Sequence, residues 1–276
     1  MLKTMQLTDR QIETFQKKIL DFYHEHGRDL PWRKALTPYR IVVSEIMLQQ
    51  TQVLRVAYHY PEFIKTFPDW RSLAGAPSKK VLAAWQGLGY NRRTLHLKAT
   101  ANEIIREYAG RLPKDVEELA KLPGIGRATA GAILAYAYNL PVPYIETNIR
   151  RTFINYFFKN KKTVNDRDIL PLVELTLDRK NPREWYWALM DYGAALGRAK
   201  NGNPNRRSAH YAKQSPFEGS RREIRGKLLK ILLESPRTLT ELSRGIGRSK
   251  ADLEPILEGL SREGFIRKRG NTYAID

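Results

Sequence analysis

Apolar residues recur at helical spacing along most of the chain. The first segment, residues 8–26, starts at Thr8 in a capping-box pattern with Gln11 and stops at Gly27. Its apolar face carries Ile12, Phe15, Ile19 and Phe22. Similar patterns, separated by proline or glycine, predict helices at 61–67, 73–85, 93–107, 116–121, 128–138, 147–158, 169–177 and 182–196. Strand-like alternation is missing, so the sequence predicts an all-α body of about ten helices.

The pattern changes after residue 196. Residues 197–222 are rich in Gly, Pro, Asn and basic residues, which is typical of loops and linkers. Helices are predicted at 223–233, 238–244 and 251–262, followed by strands at 265–268 and 272–275 joined at Gly270-Asn271. Three helices and a hairpin outline a winged helix, so we expect a helical domain of residues 1–213 and a winged-helix-like domain of residues 221–276. Winged helices bind DNA or protein, and the sequence leaves both partners open.

One charged residue interrupts the most apolar of these helices. Glu45 lies within the segment IVVSEIML of residues 41–48, where apolar residues occupy nearly every face. An ionised carboxylate buried there is costly, so the group either finds a partner or keeps its proton near neutral pH. A protonated carboxyl group in a dry site suits general-acid chemistry. The alternative is a structural glutamate held by backbone groups or an arginine.

Composition indicates a partner and excludes several chemistries. The 276 residues carry 48 Lys and Arg against 29 Asp and Glu, a net charge of +19, which favours nucleic acid over a membrane surface as partner. Because the sequence has no cysteine, it cannot form disulfides or cysteine-ligated zinc or iron–sulfur sites. Its five histidines lack metal-binding spacing, so no metal site is predicted. With no long apolar stretch or charged leader, we expect a cytoplasmic, nucleoid-associated protein.

A glycine-containing turn predicts a contact with DNA. The segment LPGIGR of residues 122–127 joins the predicted helices 116–121 and 128–138. Backbone N–H groups at the start of the second helix suit a phosphate. The order LPGIGRATA is that of the helix-hairpin-helix motif, which holds the DNA backbone without reading its sequence.

A second acid follows this hairpin by about 20 residues. Glu146, in the segment VPYIETNIRR of residues 142–151, stands where one superfamily of DNA glycosylases carries a carboxylate. From about residue 22 to residue 213 the chain closely resembles the adenine DNA glycosylase family of helix-hairpin-helix glycosylases. The matching strings are Leu30-Pro-Trp-Arg, Pro38-Tyr-Arg, Ser44-Glu-Ile-Met-Leu-Gln-Gln-Thr-Gln-Val, Gly87-Leu-Gly-Tyr, Leu122-Pro-Gly-Ile-Gly-Arg and Met190-Asp-Tyr-Gly-Ala.

The resemblance implies a monomer with two helical subdomains around a cleft, acting on duplex DNA with a flipped-out base. One subdomain would span about 30–140, the other the N-terminal helix plus about 141–213. Glu45 would be the general acid that protonates the base, and Glu146 would stabilise or trap the sugar cation. The implied base pocket consists of Leu30, Trp32, Arg33, Val53, Ala128 and Asp191. The implied DNA contacts are Gln50 and Tyr90 as wedges, with Thr51, Leu122, Gly124, Gly126, Arg127 and Asn148. A monovalent cation at the hairpin is compatible with this resemblance.

The chain departs from the family pattern in four respects. Glu146 is one methylene longer than the usual aspartate, and Ala128 replaces the lysine nucleophile of lyase members, which predicts a monofunctional glycosylase. The winged-helix-like segment replaces the domain that reads 8-oxoguanine. The four cluster cysteines would fall at Gly197, Pro204, Arg207 and Lys213, so we expect no iron–sulfur cluster and a loop held by packing and basic side chains.

Three functions therefore remain open. The first is a base excision repair glycosylase that removes a mispaired or damaged base, with adenine opposite G or 8-oxoguanine as first candidate. The second keeps the scaffold but acts on mismatched thymine or uracil or on an oxidised pyrimidine. The third is a DNA-binding protein without catalysis. A useless buried acid is a stability liability, so Glu45 speaks against the third.

Overall fold

The computed structural model describes residues 6–198, 202–213 and 216–276, and helices dominate it, as predicted. The helices are α1 (Asp9–His26), α2 (Pro38–Leu48), α3 (Val53–Thr66), α4 (Trp70–Ala74), α5 (Ser78–Ala84), α6 (Arg92–Tyr108), α7 (Val116–Lys121), α8 (Arg127–Tyr138), α9 (Thr147–Phe157), α10 (Asp166–Leu175), α11 (Pro182–Arg198), α12 (Arg221–Glu234), α13 (Leu239–Ile246) and α14 (Lys250–Arg262). The strands are β1 (Arg237–Thr238), β2 (Ile266–Arg269) and β3 (Thr272–Ile275). Within the described ranges, each helix is too short or too polar to cross a membrane.

The chain folds into two compact units. Unit 1 consists of Met1–Glu45, Pro113–Lys121 and Ile125–Lys213. Unit 2 consists of Ile46–Leu112, Leu122–Gly124 and Gln214–Asp276. The boundary therefore passes through α2, directly after Glu45. The winged-helix-like residues 221–276 lie wholly in unit 2, together with α3–α6.

Unit 1 is organised around α1, α9 and α11. Thr8 caps α1 with its side chain accepting from the Gln11 amide, while the Gln11 side chain accepts from the Thr8 amide. Phe15 and Ile19 of α1 are fully buried. The ring of Phe15 packs against Phe153, Tyr156, Phe157 and Trp185. Buried aromatic area of this kind stabilises the packing of the three helices.

Unit 2 ends in the predicted helices and hairpin. β2 and β3 pair antiparallel through the turn at Gly270-Asn271, with Arg267 opposite Ala274. The two-residue β1, which the sequence pattern is too short to reveal, pairs with β3 and completes a sheet of order β1-β3-β2. Leu82 of α5 belongs to the hydrophobic core formed by α12, α13, α14 and the hairpin. The C-terminal segment is thus packed onto α5.

Proline explains where the predicted helix bounds differ. The segment predicted as 73–85 is two helices, because Pro77 disfavours the helical conformation of the residue before it. Conversely, α3 starts at Val53, well before the predicted residue 61, and contains Pro61. Pro61 has no N–H to donate to the carbonyl one turn before it, but because Pro61 is exposed, water can donate to that carbonyl instead.

Candidate active site

Glu45 lies on α2 among fully buried apolar neighbours, as its sequence context predicts. Val42, Val43, Ile46 and Met47 have no exposed surface. The Glu45 side chain is itself half-buried, with a small part of its surface accessible. Burial, together with the charge of Glu146 and against the opposing charge of Arg33, raises the pKa of Glu45 to about 8. Glu45 therefore keeps its proton near neutral pH.

Glu146 caps the N-terminus of α9. Its Oε1 accepts hydrogen bonds from the backbone amides of Asn148 at 2.5 Å and Ile149 at 2.9 Å. Among the described residues, Oε2 receives only the side-chain amide of Asn148, at 3.4 Å. Burial raises the pKa of Glu146, while the two backbone hydrogen bonds and the charges of Arg150 and Arg151 act against that rise. These hydrogen bonds favour the ionised form of Glu146 against the effect of its burial.

Arg33 and Asp191 form a buried ion pair beside the two acids. The Arg33 guanidinium donates to both Asp191 oxygens, at 2.9 and 2.8 Å, and Arg28 donates through its backbone amide and Nε at 2.8 and 2.7 Å. Burial alone would raise the pKa of Asp191, but the hydrogen bonds and charges of these arginines lower it. The Asp191 side chain is 1% exposed. It therefore holds Arg33 in place, and its oxygens do not face an open pocket.

One donor of Arg33 is left without an acceptor. Its Nε is buried and has no hydrogen-bond partner within the described parts of the chain. The guanidinium lies 5.3 Å from the Trp187 ring centre and 5.7 Å from that of Tyr23, which fixes its plane. A buried N–H group without an acceptor is costly. It suits an acceptor atom of a bound ligand.

Two tyrosines that the sequence analysis did not nominate complete the surroundings of Glu45. The Tyr144 hydroxyl donates to that of Tyr136 at 3.0 Å, and both side chains are buried. Burial raises the pKa of each phenol well above its ordinary value, and the nearby Glu45 charge adds to the rise. Gly131 makes room for Tyr144, because a Cβ at that position would lie 2.8 Å from the Tyr144 Cβ. The only sequence signal was the place of Tyr144, two residues before Glu146.

Asn148 and its helix are fixed from α11. A Cβ at Gly193 would lie 2.3 Å from the Asn148 carbonyl oxygen, so only glycine permits this close approach. Arg151 donates to the Asn148 side-chain oxygen at 2.8 Å and to the Gly193 carbonyl at 2.7 Å. The start of α9, and with it Glu146, is thereby held in one position.

The predicted base-pocket residues differ in burial and in the unit to which they belong. Leu30 and Trp32, next to Arg33 in unit 1, are 6% and 5% exposed, whereas Ala128 is exposed in the first turn of α8. Val53 belongs to unit 2, where it begins α3 and is half-buried. Unit 1 contains Leu30, Trp32, Arg33, Asp191 and the two acids, and the charge of Arg33, which is hydrogen-bonded to Asp191, acts on Glu45.

The helix-hairpin-helix segment has the expected form. Leu122 is buried, and Gly124 has φ +77°, with a hypothetical Cβ only 2.8 Å from His96. Gly126 is exposed at the N-cap of α8 and provides no side-chain cap. The N-terminal amides of α8 are therefore available to an anion. Arg127 is exposed as well and pairs with Glu117 at 2.6 Å.

The two predicted wedge residues share an unusual backbone conformation in unit 2. Gln50 and Tyr90 have φ of 55° and 48°, the left-handed region that side chains other than glycine rarely adopt. Thr51, half-buried beside Gln50, accepts a hydrogen bond from the Arg93 guanidinium at 2.9 Å. Arg93 carries no sequence signal beyond its place three residues after the Gly87-Leu-Gly-Tyr string.

The residues at the expected cluster positions do not fit an iron–sulfur cluster. Gly197, Pro204, Arg207 and Lys213 offer no thiolate or imidazole. Instead, Arg207 donates to the carbonyls of Ile154, Phe158, Lys159 and Lys161 at the end of α9. Val164 and Ser208 form a parallel bridge, and the buried Asn205 donates to the Thr147 carbonyl at 2.9 Å. Side-chain hydrogen bonds hold this loop to both ends of α9.

Comparisons with known proteins agree with this geometry. The family model of the HhH-GPD superfamily of base excision DNA repair proteins matches residues 43–170. An adenine DNA glycosylase of Mycolicibacterium smegmatis is 34% identical over 275 residues, which cover 91% of this chain and 92% of that protein. One of Buchnera aphidicola (subsp. Baizongia pistaciae) is 39% identical over 187 residues, 66% of this chain and 52% of that protein. The chain thus spans about half the length of the Buchnera relatives.

Among solved structures, a thermostable thymine-DNA glycosylase is similar. It superposes with a TM-score of 0.65 at 26% identity, over 70% of this chain and 91% of the other. The similarity extends well beyond the helix-hairpin-helix segment.

Proposed function

Because the chain belongs to the adenine DNA glycosylase family of the helix-hairpin-helix base excision repair superfamily, we propose that it is a monofunctional DNA glycosylase. Its substrate is duplex DNA with a mispaired or damaged base flipped out, and adenine opposite G or 8-oxoguanine is the first candidate. The observation that carries the proposal is the pair of neighbouring acids, Glu45 protonated near neutral pH and Glu146 more easily ionised. The net charge of +19 supports a place on the nucleoid, and a monomer is sufficient for this chemistry.

The two carboxyl groups divide the reaction. Glu45 donates its proton to a ring nitrogen of the base as the N-glycosidic bond breaks, so the base leaves as a neutral molecule. The ionised Glu146 stabilises the positive charge that develops on the sugar. Water then adds to the sugar C1′ and releases a proton, which leaves an abasic site. The buried Nε of Arg33, which has no acceptor among the described residues, donates a hydrogen bond to the flipped base or to a water next to it.

Ala128 supports a reaction without strand cleavage. A methyl group cannot form the Schiff base through which lyase members cut the DNA backbone. No iron–sulfur cluster is part of this proposal, because Arg207 and its neighbours already fasten the loop where the family carries one. The α8 N-terminus, with Gly126 and Arg127, suits a DNA phosphate, and a monovalent cation at the hairpin is compatible with it.

A second substrate class is favoured by one observation. One of the similar solved structures is a thymine-DNA glycosylase, and the match covers 91% of that chain. Glu146, in place of the usual aspartate, also departs from the adenine-specific pattern. Thymine or uracil opposite G therefore remains the alternative substrate.

The test uses labelled duplexes with A opposite 8-oxoguanine, A opposite G, T opposite G, U opposite G and 5-hydroxyuracil, each treated afterwards with hot alkali. We expect breaks at the target base only after alkali, and the duplex that breaks identifies the substrate. Glu45→Gln should abolish these breaks while duplex binding persists. Strand breaks without alkali would contradict the monofunctional reaction argued from Ala128. If every duplex stayed intact after alkali, the proposed glycosylase activity would be wrong.

A further inference from the structure

The Tyr90 side chain stands at the centre of a small network in unit 2. Its backbone has φ 48° and follows Gly87 and Gly89, both of which also have positive φ. The ring is 38% exposed. An aromatic residue keeps a left-handed backbone only where its surroundings impose it, and such places are often functional.

Arg93 binds the backbone of the loop formed by residues 87–90. Its Nε donates to the Tyr90 carbonyl at 3.3 Å, and its NH2 donates to the carbonyls of Leu88 and Gly89 at 3.3 and 2.9 Å. The guanidinium lies 5.5 Å from the centre of the Tyr90 ring. The loop is therefore fixed, but nothing in these bonds orients the phenol hydroxyl.

A second arginine reaches that hydroxyl from the C-terminal segment. Arg222, in the first turn of α12, donates from NH1 to the Tyr90 hydroxyl oxygen at 2.8 Å. Its guanidinium also lies 5.8 Å from the centre of the Tyr90 ring. A hydrogen bond from a charged donor is among the stronger ones in proteins.

The position of α12 on this loop is itself fixed. Leu228, Leu229 and Leu232 of α12 share one hydrophobic core with Leu82, which lies five residues before Gly87. Glu263 binds Arg92 at 2.8 Å and Arg225 at 2.6 Å, so it joins the start of α6 to α12. The contact between Arg222 and Tyr90 is thus backed by buried apolar area and by two ion pairs.

We propose that Arg222 is a positioning residue for Tyr90, through which the C-terminal winged-helix-like segment takes part in base flipping. Arg222 orients the phenol ring of Tyr90 through its hydroxyl group, and Arg93 fixes the backbone conformation of Tyr90 through its carbonyl group. The segment thereby acts on the DNA opening step without contacting the flipped base. This inference rests on the proposed function and on the wedge role that the family resemblance implies for Tyr90.

The test is a double-mutant cycle read by base flipping rather than by cleavage. The duplex carries 2-aminopurine opposite guanine, and the rise of its fluorescence on flipping is followed by stopped flow. We expect Arg222→Gln to slow this rise about tenfold, as the loss of a charge-assisted hydrogen bond implies. Tyr90→Phe, which removes only the hydroxyl, should slow it equally, and the double variant should be no slower than either. Arg222→Lys keeps a donor and should restore most of the rate.

The matched control is Lys230→Gln, which removes one positive charge from the exposed surface of the same helix and should leave the rate unchanged. The inference would be overturned if Lys230→Gln slowed the fluorescence rise as much as Arg222→Gln does. It would also be overturned if Arg222→Gln slowed the rise just as much in the Tyr90→Phe background as in the wild type. Unaltered flipping in Tyr90→Phe, whose fold is least disturbed, would overturn it as well. The fluorescence signal does not depend on cleavage of the N-glycosidic bond. A wild-type protein that flips the base but never removes it would therefore contradict the proposed function, while the effect of Arg222 on flipping would still be measured.

Discussion

At the scale of single residues, Glu45 and Glu146 differ because their hydrogen-bond partners differ. Burial raises the pKa of both. For Glu146 this rise in pKa is opposed by hydrogen bonds from two backbone amides at a helix N-terminus, where negative charge is favoured. Hydrogen bonds thus favour the ionised form of Glu146 while burial keeps Glu45 neutral, which is the division that a two-carboxyl mechanism needs.

The pH dependence of the rate follows from this division. Glu45 is active when neutral, so kcat/KM should fall as pH rises above about 8. Glu146 is active when ionised, and because its pKa is raised, the fall on the acid side should begin above the ordinary carboxyl value of 4.5. Single-turnover cleavage from pH 4.5 to 9.5 should therefore give a bell-shaped profile. A flat profile between pH 6 and 9.5 would show that Glu45 is not the acid.

Glu45 should also weaken the fold as pH rises. The unfolded chain ionises this group near pH 4.5, but the folded protein holds the proton until about pH 8. Between these values the folded state binds more protons, so the free energy of unfolding falls with pH. Glu45→Gln removes the penalty, and its advantage should grow by up to about 1.4 kcal/mol per pH unit. Urea unfolding at pH 5.5, 6.5 and 7.5 measures it; an advantage that stays constant with pH would contradict the buried acid.

At the scale of elements, α9 is held at both ends by side chains. Glu146 caps its first amides, and Arg207 takes up the carbonyls that follow its last turn. The loop of residues 203–209 therefore supports the helix that carries the second acid. Arg151 extends this support, because its Nε donates to the Asn203 side-chain oxygen at 2.9 Å while NH1 holds Asn148.

Removing the C-terminal support should destabilise the protein. Arg207→Ala leaves several carbonyls at the end of α9 without their charged donor, and we expect a loss of about 1–3 kcal/mol in the free energy of unfolding. Arg206→Ala, next to it and exposed, should stay within about 0.5 kcal/mol. Denaturant unfolding of the two variants decides the matter. Equal losses would mean that the loop is held by packing alone.

At the scale of the whole molecule, charge is distributed unevenly over the C-terminal segment. The exposed side of α14, the helix that a winged helix places in the DNA groove, carries three acids, Asp252, Glu254 and Glu258, against two basic residues, Lys250 and Arg262. The wing instead presents Lys268 and Arg269. The middle of α14 is acidic whereas the wing is basic, so we expect the wing rather than the middle of α14 to approach the phosphates. Deleting residues 221–276 would be a poor test, because it exposes Leu82.

Neutralising the wing is the cleaner experiment. Lys268→Gln with Arg269→Gln should make the plot of log K against log salt concentration shallower by about 1.8, since each phosphate that the protein no longer neutralises reduces the slope by about 0.9. Lys17→Gln with Lys18→Gln on the exposed face of α1 removes the same charge and should leave the slope unchanged. Equal slopes for wild type and wing variant would mean that the wing binds a protein or nothing.

Local pattern predicted the helices well, because apolar periodicity and caps such as Thr8 and Gly27 act over a few residues. It misjudged the bounds near Pro61, which lies inside α3, and near Pro77, which precedes α5; both prolines are exposed, so their accessibility does not distinguish the two cases. Glu45 could be singled out because its neighbours in sequence are also its surroundings. The pairs Arg33–Asp191 and Arg222–Tyr90 could not, since each joins residues more than 130 positions apart. No periodicity encodes such pairings.

The two oxygens of Glu146 are not equivalent, and this has a chemical consequence. Oε1 accepts from two backbone amides, whereas Oε2 accepts a single long hydrogen bond from the part of the chain that the structure describes. A glycosyl ester formed through Oε2 would keep Oε1 as its carbonyl oxygen, still polarised by the same two N–H groups. Such polarisation makes the carboxylate a better leaving group, so an ester at this position would be short-lived and difficult to isolate.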